Sequence, residues 1–380
     1  MRQHLRRTLL RVVGALLRFV APHASAQPRR VLIIKPDHLG DVLLLTPALR
    51  LLRETWPHVH VALLIGPWSM PAVAHNPDID TVLTCPFPGF TRATKPGVFQ
   101  PYMVLLKLAL LLRAGRYDAA VIARDDHWWG ALAAALAGIP ERLGFAVPET
   151  APFLTRALPH SFATHVAAQS LALVQALTGQ APPQRVAMRA PISAADQAWA
   201  KAWLQHGGVA PQPPLVALHP GAGGPAKLWL PERWIEVGAA LQHRGFQLVL
   251  TGGSQEGALV ERIAQGLPQR PLVMVGAATI GQLAALYSRC VLVLGVDSGP
   301  LHLAAATGVA TLALFGPGDH RRFGPWGAPD RHVVLRSGLW CSPCGVLEAC
   351  PRGTAPSECM TLLTPAQLLA AVDQLLPAAS

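Results

Sequence analysis

Residues 291–317 read VLVLGVDSGPLHLAAATGVATLALFGP. The apolar run at 291–296 has the length of a buried strand, residues 299–307 have helical character, and a second apolar run follows at 311–315. Repeated strand–helix–strand units of this kind form parallel sheets with right-handed crossovers. The stretch therefore indicates an α/β fold.

The same alternation of short apolar runs and helical segments occurs in two sets along the chain. An interval containing Pro182-Pro183, Pro191 and Pro213-Pro214 separates the two sets. We predict a basic amphipathic N-terminal extension at 1–29 and two doubly wound, Rossmann-like parallel-sheet domains at 30–190 and 191–380, facing a cleft.

The pattern also predicts the individual elements. The strands are expected at 31–34, 59–64, 81–84, 119–122, 215–218, 247–250, 272–275, 291–294 and 311–315. The helices are expected at 42–53, 101–112, 128–136, 194–206, 231–243, 255–266, 279–288, 299–307 and 364–376. In such folds ligands bind in the loops that follow the carboxyl ends of the strands.

Composition and charge exclude several classes of protein. With 380 residues, 51% hydrophobic and 14% charged, the chain is expected to be globular. No apolar run reaches the roughly 18 residues that a membrane span needs. The net charge is +11, but residues 1–30 hold seven Arg and no acidic residue, which leaves only +4 for the rest. The charge therefore does not indicate a nucleic-acid-binding protein.

The basic extension has helical periodicity. At 100° per residue, Leu9, Val12 and Val13 fall on one face, together with Leu5, Leu16, Phe19 and Val20, while His4, Arg7, Arg11 and Arg18 fall on the other. This pattern favours a helix lying on an anionic membrane surface. Two alternatives stay open: a secretory signal, because Ala24-Ser25-Ala26 resembles a cleavage site, and a disordered extension.

Four of the six cysteines form a cluster near the C-terminus. They are Cys341, Cys344, Cys350 and Cys359. The spacing has some zinc-knuckle character but lacks a second C-x2-C pair, so zinc is a minority interpretation beside a thiol-lined packed loop or a disulfide.

Four loops contain residues suited to a phosphate or sugar site. Asp297-Ser298-Gly299-Pro300-Leu301-His302 lies between a strand and a helix, where backbone amides can face an anion, although a simple helix cap is an equal alternative. The second loop contains Gly221, Gly223, Gly224 and Lys227, which fit a phosphate site, with a solvated lysine as the alternative.

The other two loops contain acidic residues. Asp41 follows the first strand and is either a helix cap or a general base for a hydroxyl group. Glu256 could accept ribose hydroxyls or stabilise the first turn of a helix.

Three motifs give the chain a resemblance to a known family. LGDVLLLTPALRLLR, HPGAGGPAKLWLPERW and DSGPLHLAAATGVATLALFGP resemble glycosyltransferase family 9, the heptosyltransferases of lipopolysaccharide core assembly. The similarity covers about residues 30–376 and includes the cysteine cluster. It implies a GT-B fold and an inverting, metal-independent enzyme, without a cofactor, that uses a nucleotide-diphosphate sugar, typically ADP-heptose.

The resemblance also implies roles for single residues. Asp41 matches the catalytic base, and Lys227 matches the lysine that binds the diphosphate. Glu256 is a weaker match to an acidic residue near the ribose. The residues implied at the phosphates and the donor sugar are Asp297, Ser298, Gly299, Pro300, Leu301 and His302.

The sequence departs from the family pattern on the acceptor side. Arg124, Asp125 and Asp126 stand where many members have a hydrophobic residue, Gln and Gly, so they are candidates for acceptor contacts. The basic extension, which is not a general feature of the family, suits a cytoplasmic enzyme that works on a lipid-linked acceptor at the inner face of the membrane. The alternatives to a transferase are a nucleotide-sugar epimerase of the GT-B type and a non-catalytic nucleotide-sugar binder.

Overall fold

The structure is a computed structural model that describes residues 2–18, 28–90, 97, 99–181, 186–209 and 212–376. The chain divides into two compact units. The first contains Met1–Met70 and Asn76–Val186, and the second contains Pro71–His75 and Ala187–Ser380. Each unit has one parallel six-stranded sheet with helices, which confirms the predicted α/β fold with two doubly wound sheets.

The first unit contains six helices and six strands in the part of the chain that the structure describes. In chain order they are α1 (Arg2–Arg18), β1 (Arg30–Lys35), α2 (Leu39–Leu43), α3 (Thr46–Thr55), β2 (His60–Ile65), β3 (Thr81–Thr84), α4 (Gln100–Ala114), β4 (Ala119–Ile122), α5 (Trp128–Leu136), β5 (Glu141–Phe145), β6 (Arg156–Leu158) and α6 (Val166–Thr178).

The second unit has the same alternation over its described residues. Its elements are α7 (Ala194–His206), β7 (Leu215–His219), α8 (Pro231–His243), β8 (Gln247–Gly252), α9 (Gly257–Gly266), β9 (Leu272–Val275), α10 (Ile280–Tyr287), β10 (Leu292–Val296), α11 (Gly299–Ala306), β11 (Ala310–Leu314), α12 (His320–Phe323), β12 (His332–Leu335), α13 (Glu358–Thr361) and α14 (Pro365–Leu375).

Both sheets have the same strand order. The order is β3-β2-β1-β4-β5-β6 in the first unit and, read from the matching edge, β9-β8-β7-β10-β11-β12 in the second. The strand order reverses between β1 and β4, and again between β7 and β10. Ligands bind at such reversal points, at the carboxyl ends of the strands. The topology thus selects the loops after β1, β4, β7 and β10.

A layer of three helices covers one face of the first sheet. Helices α4 and α5 pack together over buried strand residues such as Leu32, Ile34 and Ile122, and α1 adds Leu10 to the same core. Helices α3 and α6 pack against each other outside this cluster. Helix α5 therefore contacts both α1 and α4 within one layer.

The predicted helical extension is present, and it belongs to the first unit. Leu10 is buried and Val13 packs against the core, whereas Leu9 and Val12 are exposed. Arg7 Nε also pairs with Glu149 Oε1 at 2.8 Å. The segment with Phe19, Val20 and Ala24-Ser25-Ala26 lies outside the described residues, as do the side chains of Leu5 and Leu16. No helix in the described ranges is long and apolar enough to cross a bilayer.

The prediction of one helix at 42–53 is wrong, because two helices, α2 and α3, occupy this region. Pro47 has no amide hydrogen to continue the ladder to Leu43. The Thr46 hydroxyl instead donates to the Leu43 carbonyl at 2.7 Å. The break separates the short helix that contains Asp41 from the longer helix behind it.

Three strands and one long helix were not predicted. They are β5, β6, β12 and α6. Strand β6 has only three residues, and the sequence of β5 contains Glu, Arg and Gly rather than a run of β-branched residues. Strands β5 and β6 complete the outer part of the first sheet next to β4, and β12 forms an edge of the second sheet.

Candidate active site

The reversal point of the second sheet brings together a lysine and an aspartate that are far apart in sequence. Lys227 ends a 3₁₀ turn after β7, and Asp297 follows β10. Because β7 and β10 are adjacent parallel strands, their carboxyl ends meet at one edge. Lys227 Nζ lies 2.7 Å from Asp297 Oδ2, and the two side chains are 16% and 9% exposed. The predicted phosphate-binding lysine is thus paired and largely buried.

The backbone at Gly318 closes over the carboxylate of Asp297. A Cβ atom at position 318 would lie 2.2 Å from Asp297 Oδ2, closer than any real contact allows. Because Gly318 has no side chain, the Asp297 carboxylate can occupy this space beside Lys227.

Helix α11 starts at this same point. Ser298 precedes it, and its Oγ is buried without a hydrogen-bond partner among the described residues. The amides of Leu301 and His302 donate to the Ser298 carbonyl, and Pro300 has no amide hydrogen. The amides at this helix start that can face an anion are consequently those of Ser298 and Gly299. His302 is buried within the helix.

Glu256 lies between β8 and α9, on the other side of β7. Its Oε2 accepts a hydrogen bond from the Gly253 amide at 2.7 Å. A Cβ atom at position 221 would lie 2.0 Å from the Glu256 carboxylate, so the glycine-rich loop approaches this side chain closely. The loop after β7 therefore lies between Glu256 and the Lys227–Asp297 pair.

A buried polar cluster that sequence reasoning missed lies under this loop. His219 Nδ1 is 2.9 Å from Thr251 Oγ1, which is in turn 2.9 Å from the Tyr287 hydroxyl. Burial lowers the pKa of His219 to about 4, so the ring is neutral at physiological pH. His219 Nε2 lies 3.8 Å from Glu256 Oε2. The signal that could have found this cluster is a histidine at the end of a buried strand.

The glycine-rich loop is also supported from the C-terminal side. The amide of Ala226, one residue before Lys227, donates to the carbonyl of Leu347 at 3.0 Å. Gly224 is buried and Gly223 is exposed at the tip of the loop. Leu347 lies within the cysteine-rich segment, so this segment directly contacts the loop that carries Lys227.

The four cysteines of that segment line one cavity of about 180 Å³. Their thiols are free, and burial together with the three neighbouring thiols raises the pKa of Cys359 to about 11. No group of three or more His, Cys, Asp or Glu side chains within the described residues is arranged to hold a metal ion. Which of the three predicted forms this segment takes, a zinc site, a thiol-lined packed loop or a disulfide, stays a prediction.

The reversal point of the first sheet also contains a buried charge network. Lys35 Nζ at the end of β1 lies 3.1 Å from Asp37 Oδ2, and Arg124 after β4 pairs with Asp37 Oδ1. Burial alone would raise the pKa of Asp37, but Lys35 and Arg124 outweigh it and hold the pKa below the ordinary value. Sequence reasoning missed Lys35 and Asp37.

Asp41 lies in the first turn of the short helix α2, four residues after Asp37. Its side chain is partly exposed, whereas the neighbouring Gly40 and Val42 are buried. The amide of Val42 donates to the His38 carbonyl at 3.1 Å, which closes the turn that carries Asp41. Asp41 therefore stands near the carboxyl end of β1, on a turn held by backbone hydrogen bonds.

The three acceptor-side candidates have different surroundings. Arg124 is held between Asp37 and Asp126, and it also lies over the ring of Phe90 at 5.0 Å. Asp125 Oδ2 lies 2.8 Å from His160 Nε2. The side chain of Asp126 is 62% exposed and is thus the one most open to a ligand.

A cavity of about 310 Å³ opens next to Asp126 in the first unit. Phe90, Tyr102 and Trp128 contribute aromatic surface to its lining, and Asp126 and His127 contribute polar groups. Burial lowers the pKa of His127 to about 4. Aromatic rings beside a carboxylate offer both the apolar and the hydrogen-bonding contacts that a polar ring-shaped ligand needs.

Comparison with known proteins places this geometry in context. The sequence pattern of "Glycosyltransferase family 9 (heptosyltransferase)" matches residues 105–351. Lipopolysaccharide heptosyltransferase 3 of Escherichia coli K12 is 29% identical over 296 residues, which cover 76% of this chain and 82% of that protein.

Two solved structures have a similar fold. A family 9 glycosyltransferase from Veillonella parvula superposes with a TM-score of 0.79 at 23% identity, over 93% of this chain and 99% of that one. ADP-heptose lipopolysaccharide heptosyltransferase II of E. coli superposes with a TM-score of 0.70 at 22% identity, over 91% and 98%.

Proposed function

We propose a donor and an acceptor for this chain, which belongs to glycosyltransferase family 9 and is a glycosyltransferase. In this proposal it transfers a heptose or another glycosyl unit from ADP-heptose or a related nucleotide-diphosphate sugar. The acceptor in this proposal is a lipid-linked glycan of the lipopolysaccharide-core type, at the cytoplasmic face of the inner membrane. The names of the relatives support the sugar and the acceptor class.

The observation that carries the donor half is the Lys227–Asp297 pair at the start of α11. Lys227 would contact the diphosphate, and Asp297 would hold the ammonium group in place. The amides of Ser298 and Gly299 and the buried Ser298 hydroxyl would supply further donors to the phosphate oxygens. Positive charge fixed at this point stabilises the diphosphate as it leaves.

Glu256 would accept hydrogen bonds from the ribose. Its carboxylate is held by a hydrogen bond from the Gly253 amide and is bordered by Gly221. The carboxylate therefore has a defined position, and its remaining lone pairs can accept further hydrogen bonds. A carboxylate held in this way rejects a nucleotide that lacks the matching hydroxyls, because the acceptor would stay unpaired.

In the proposed reaction, Asp41 takes the proton of the acceptor hydroxyl as its oxygen attacks the anomeric carbon. The bond between that carbon and the diphosphate oxygen breaks on the opposite side, which inverts the configuration. A positioned carboxylate contributes about a hundredfold to ten-thousandfold to such a proton transfer.

We place the acceptor glycan in the aromatic cavity of the first unit. A sugar ring would stack on Phe90, Tyr102 or Trp128, and Asp126 would accept its hydroxyls. Arg124 would hold Asp126 in position through their 2.5 Å contact. Asp125 would act indirectly, since it is paired with His160.

We also propose that the reaction needs no metal ion or other cofactor, because Lys227 and the start of α11 supply the positive charge that a cation would otherwise provide. Calorimetric titration of ADP, UDP and GDP tests this, first with EDTA and then with Mg²⁺. We expect ADP to bind without metal and Lys227→Ala to weaken it by about tenfold to a hundredfold.

The matched control is Lys201→Ala, which removes an exposed lysine from α7 of the same unit. Preference for UDP or GDP would change the donor in the proposal. No binding of any of the three, or binding that requires Mg²⁺, would overturn the donor site.

A further inference from the structure

Helix α4 has an apolar face that no other part of the described chain covers. Leu106 is 55% exposed and Leu110 is 67% exposed. The spacing of these residues follows the helical period, so they form one stripe along the helix. The other exposed apolar side chains on or next to this stripe are Phe99, Tyr102, Met103 and Leu111.

The opposite side of α4 is apolar as well and packs inward. Leu105, Leu108 and Leu112 are buried in the core of the first unit against α5. A surface helix normally places polar residues on its outer side. A contiguous apolar face on the outer side of a surface helix therefore indicates a binding partner.

Helix α1 also has exposed apolar side chains. It packs against α5, as α4 does, and leaves Leu9 and Val12 exposed. Leu10 and the Arg7–Glu149 pair fix α1 to the unit, so its exposed residues have a defined position. The apolar residues that α1 presents to the outside are thus few, and α4 provides most of the area.

The sequences of α1 and α4 contain basic residues and no acidic residue. Residues 86–117 contain five basic residues and no acidic residue, and residues 1–30 contain seven Arg and no acidic residue. On α4, Lys107 and Arg113 are exposed beside the leucine stripe. A second copy of the chain would place positive charge against positive charge, which opposes self-association through this face. An anionic lipid surface offers both the apolar phase and the opposite charge.

We propose that the outward face of α4, together with Leu9 and Val12 of α1, is a docking surface for an anionic lipid bilayer. The leucines enter the boundary between headgroups and acyl chains, and the basic side chains contact the headgroups. The inference rests on the proposed function in one respect, namely that the acceptor is linked to a lipid.

The docking surface is continuous with the proposed acceptor cavity. Tyr102 is exposed on the first turn of α4 and also lines that cavity. A glycan anchored in the bilayer would therefore reach the cavity along the N-terminal end of α4, without leaving the membrane surface.

Sedimentation with lipid vesicles tests the proposal on the full chain. We expect the protein to pellet with vesicles of equimolar phosphatidylcholine and phosphatidylglycerol, and more weakly with phosphatidylcholine alone. The double variant Leu106→Gln with Leu110→Gln should lower the affinity for the mixed vesicles by about tenfold, because two side chains lose their apolar burial. The matched control is Val346→Gln with Leu362→Gln, two exposed apolar residues of the second unit.

The variants also need a measurement of folding. Circular dichroism and the melting temperature should match those of the unchanged protein, since Leu106 and Leu110 are exposed. Met103→Gln with Leu111→Gln provides a second pair on the same face if the first pair lowers the melting temperature.

Three results would overturn the docking surface. The first is that the unchanged protein does not pellet with the vesicles, and the second is that both double variants lose less than twofold in vesicle affinity. The third is that the unchanged protein is a dimer in solution whereas the double variants are monomers. If the variants lose vesicle binding and the unchanged protein binds no nucleotide, the first result supports the docking surface and the second overturns the proposed function.

Discussion

Lys227 Nζ and Asp297 Oδ2 lie 2.7 Å apart at the point where the second sheet reverses its strand order. The first sheet has the same relationship at its own reversal point, where Lys35 and Arg124 flank Asp37. Both units therefore fix a carboxylate and a cation at the edge where a doubly wound sheet binds its ligands. The side chains of Lys227 and Asp297 are 16% and 9% exposed, whereas those of Lys35 and Asp37 are each 3% exposed.

The Lys227–Asp297 pair predicts a coupled effect on nucleotide binding. Lys227→Ala should weaken ADP binding by about tenfold to a hundredfold, and Asp297→Asn should weaken it less, because Asp297 acts by positioning the lysine. The double variant should bind ADP no more weakly than Lys227→Ala alone. Calorimetry on the three variants gives the coupling energy, and simple additivity would contradict the positioning role.

Asp41→Asn should separate chemistry from donor binding. We expect the rate of glycosyl transfer to fall by about a hundredfold to ten-thousandfold, while the affinity for ADP stays within about twofold. Glu54→Gln, an exposed acid on α3 of the same unit, is the control. An equal loss of ADP affinity in Asp41→Asn and Lys227→Ala would refute this division of roles.

The buried network of the first unit predicts a stability effect. Lys35→Met leaves the carboxylate of Asp37 with one partner fewer and should cost about 3–5 kcal/mol of unfolding free energy. Changing both partners, Lys35→Met with Asp37→Leu, should cost less, because it leaves no unpaired charge from this pair. Urea unfolding followed by tryptophan fluorescence measures both. A double variant that is less stable than Lys35→Met would count against this account.

His219 predicts a dependence of stability on pH. Its pKa falls from 6.5 to about 4 on folding, because burial disfavours the charged ring. Between these two values the unfolded chain binds more protons than the folded protein. Stability therefore decreases as the pH falls from 6.5 towards 4, with a slope of up to about 1.4 kcal/mol per pH unit from this residue.

The variant His219→Gln isolates that contribution. The difference in unfolding free energy between the unchanged protein and His219→Gln should be constant above pH 7 and should shift steadily below it. His58→Gln removes an exposed histidine and serves as the control. A difference that does not change with pH would show that His219 titrates alike in both states.

The sequence was sufficient for the fold and for the candidate loops. Strands β3, β4 and β9 and helices α5, α7 and α8 have the predicted bounds, because short apolar runs and helical periodicity mark them in the sequence. The loops after β1, β7, β8 and β10 follow the carboxyl ends of strands, as the sequence indicated, and their role in ligand binding stays a prediction.

The pairings within those loops were not predictable. Asp37 meets Arg124, and Lys227 meets Asp297, only because β1 is adjacent to β4 and β7 to β10. Strand order is a property of the whole sheet, and no local pattern around Lys35 or Asp37 marks them as buried charges. The break between α2 and α3 was missed for a different reason, namely that the Thr46 hydroxyl replaces a backbone donor.

The close approach of Gly318 to Asp297 has a consequence for sequence variation. A methyl group at position 318 would occupy the space of the Asp297 carboxylate, so an alanine there is incompatible with the present position of that side chain. Across related sequences we expect glycine at this position wherever the aspartate is retained, and a joint loss of the two where the donor loop has diverged. The pair would then serve as a marker for members that keep the lysine-dependent donor site.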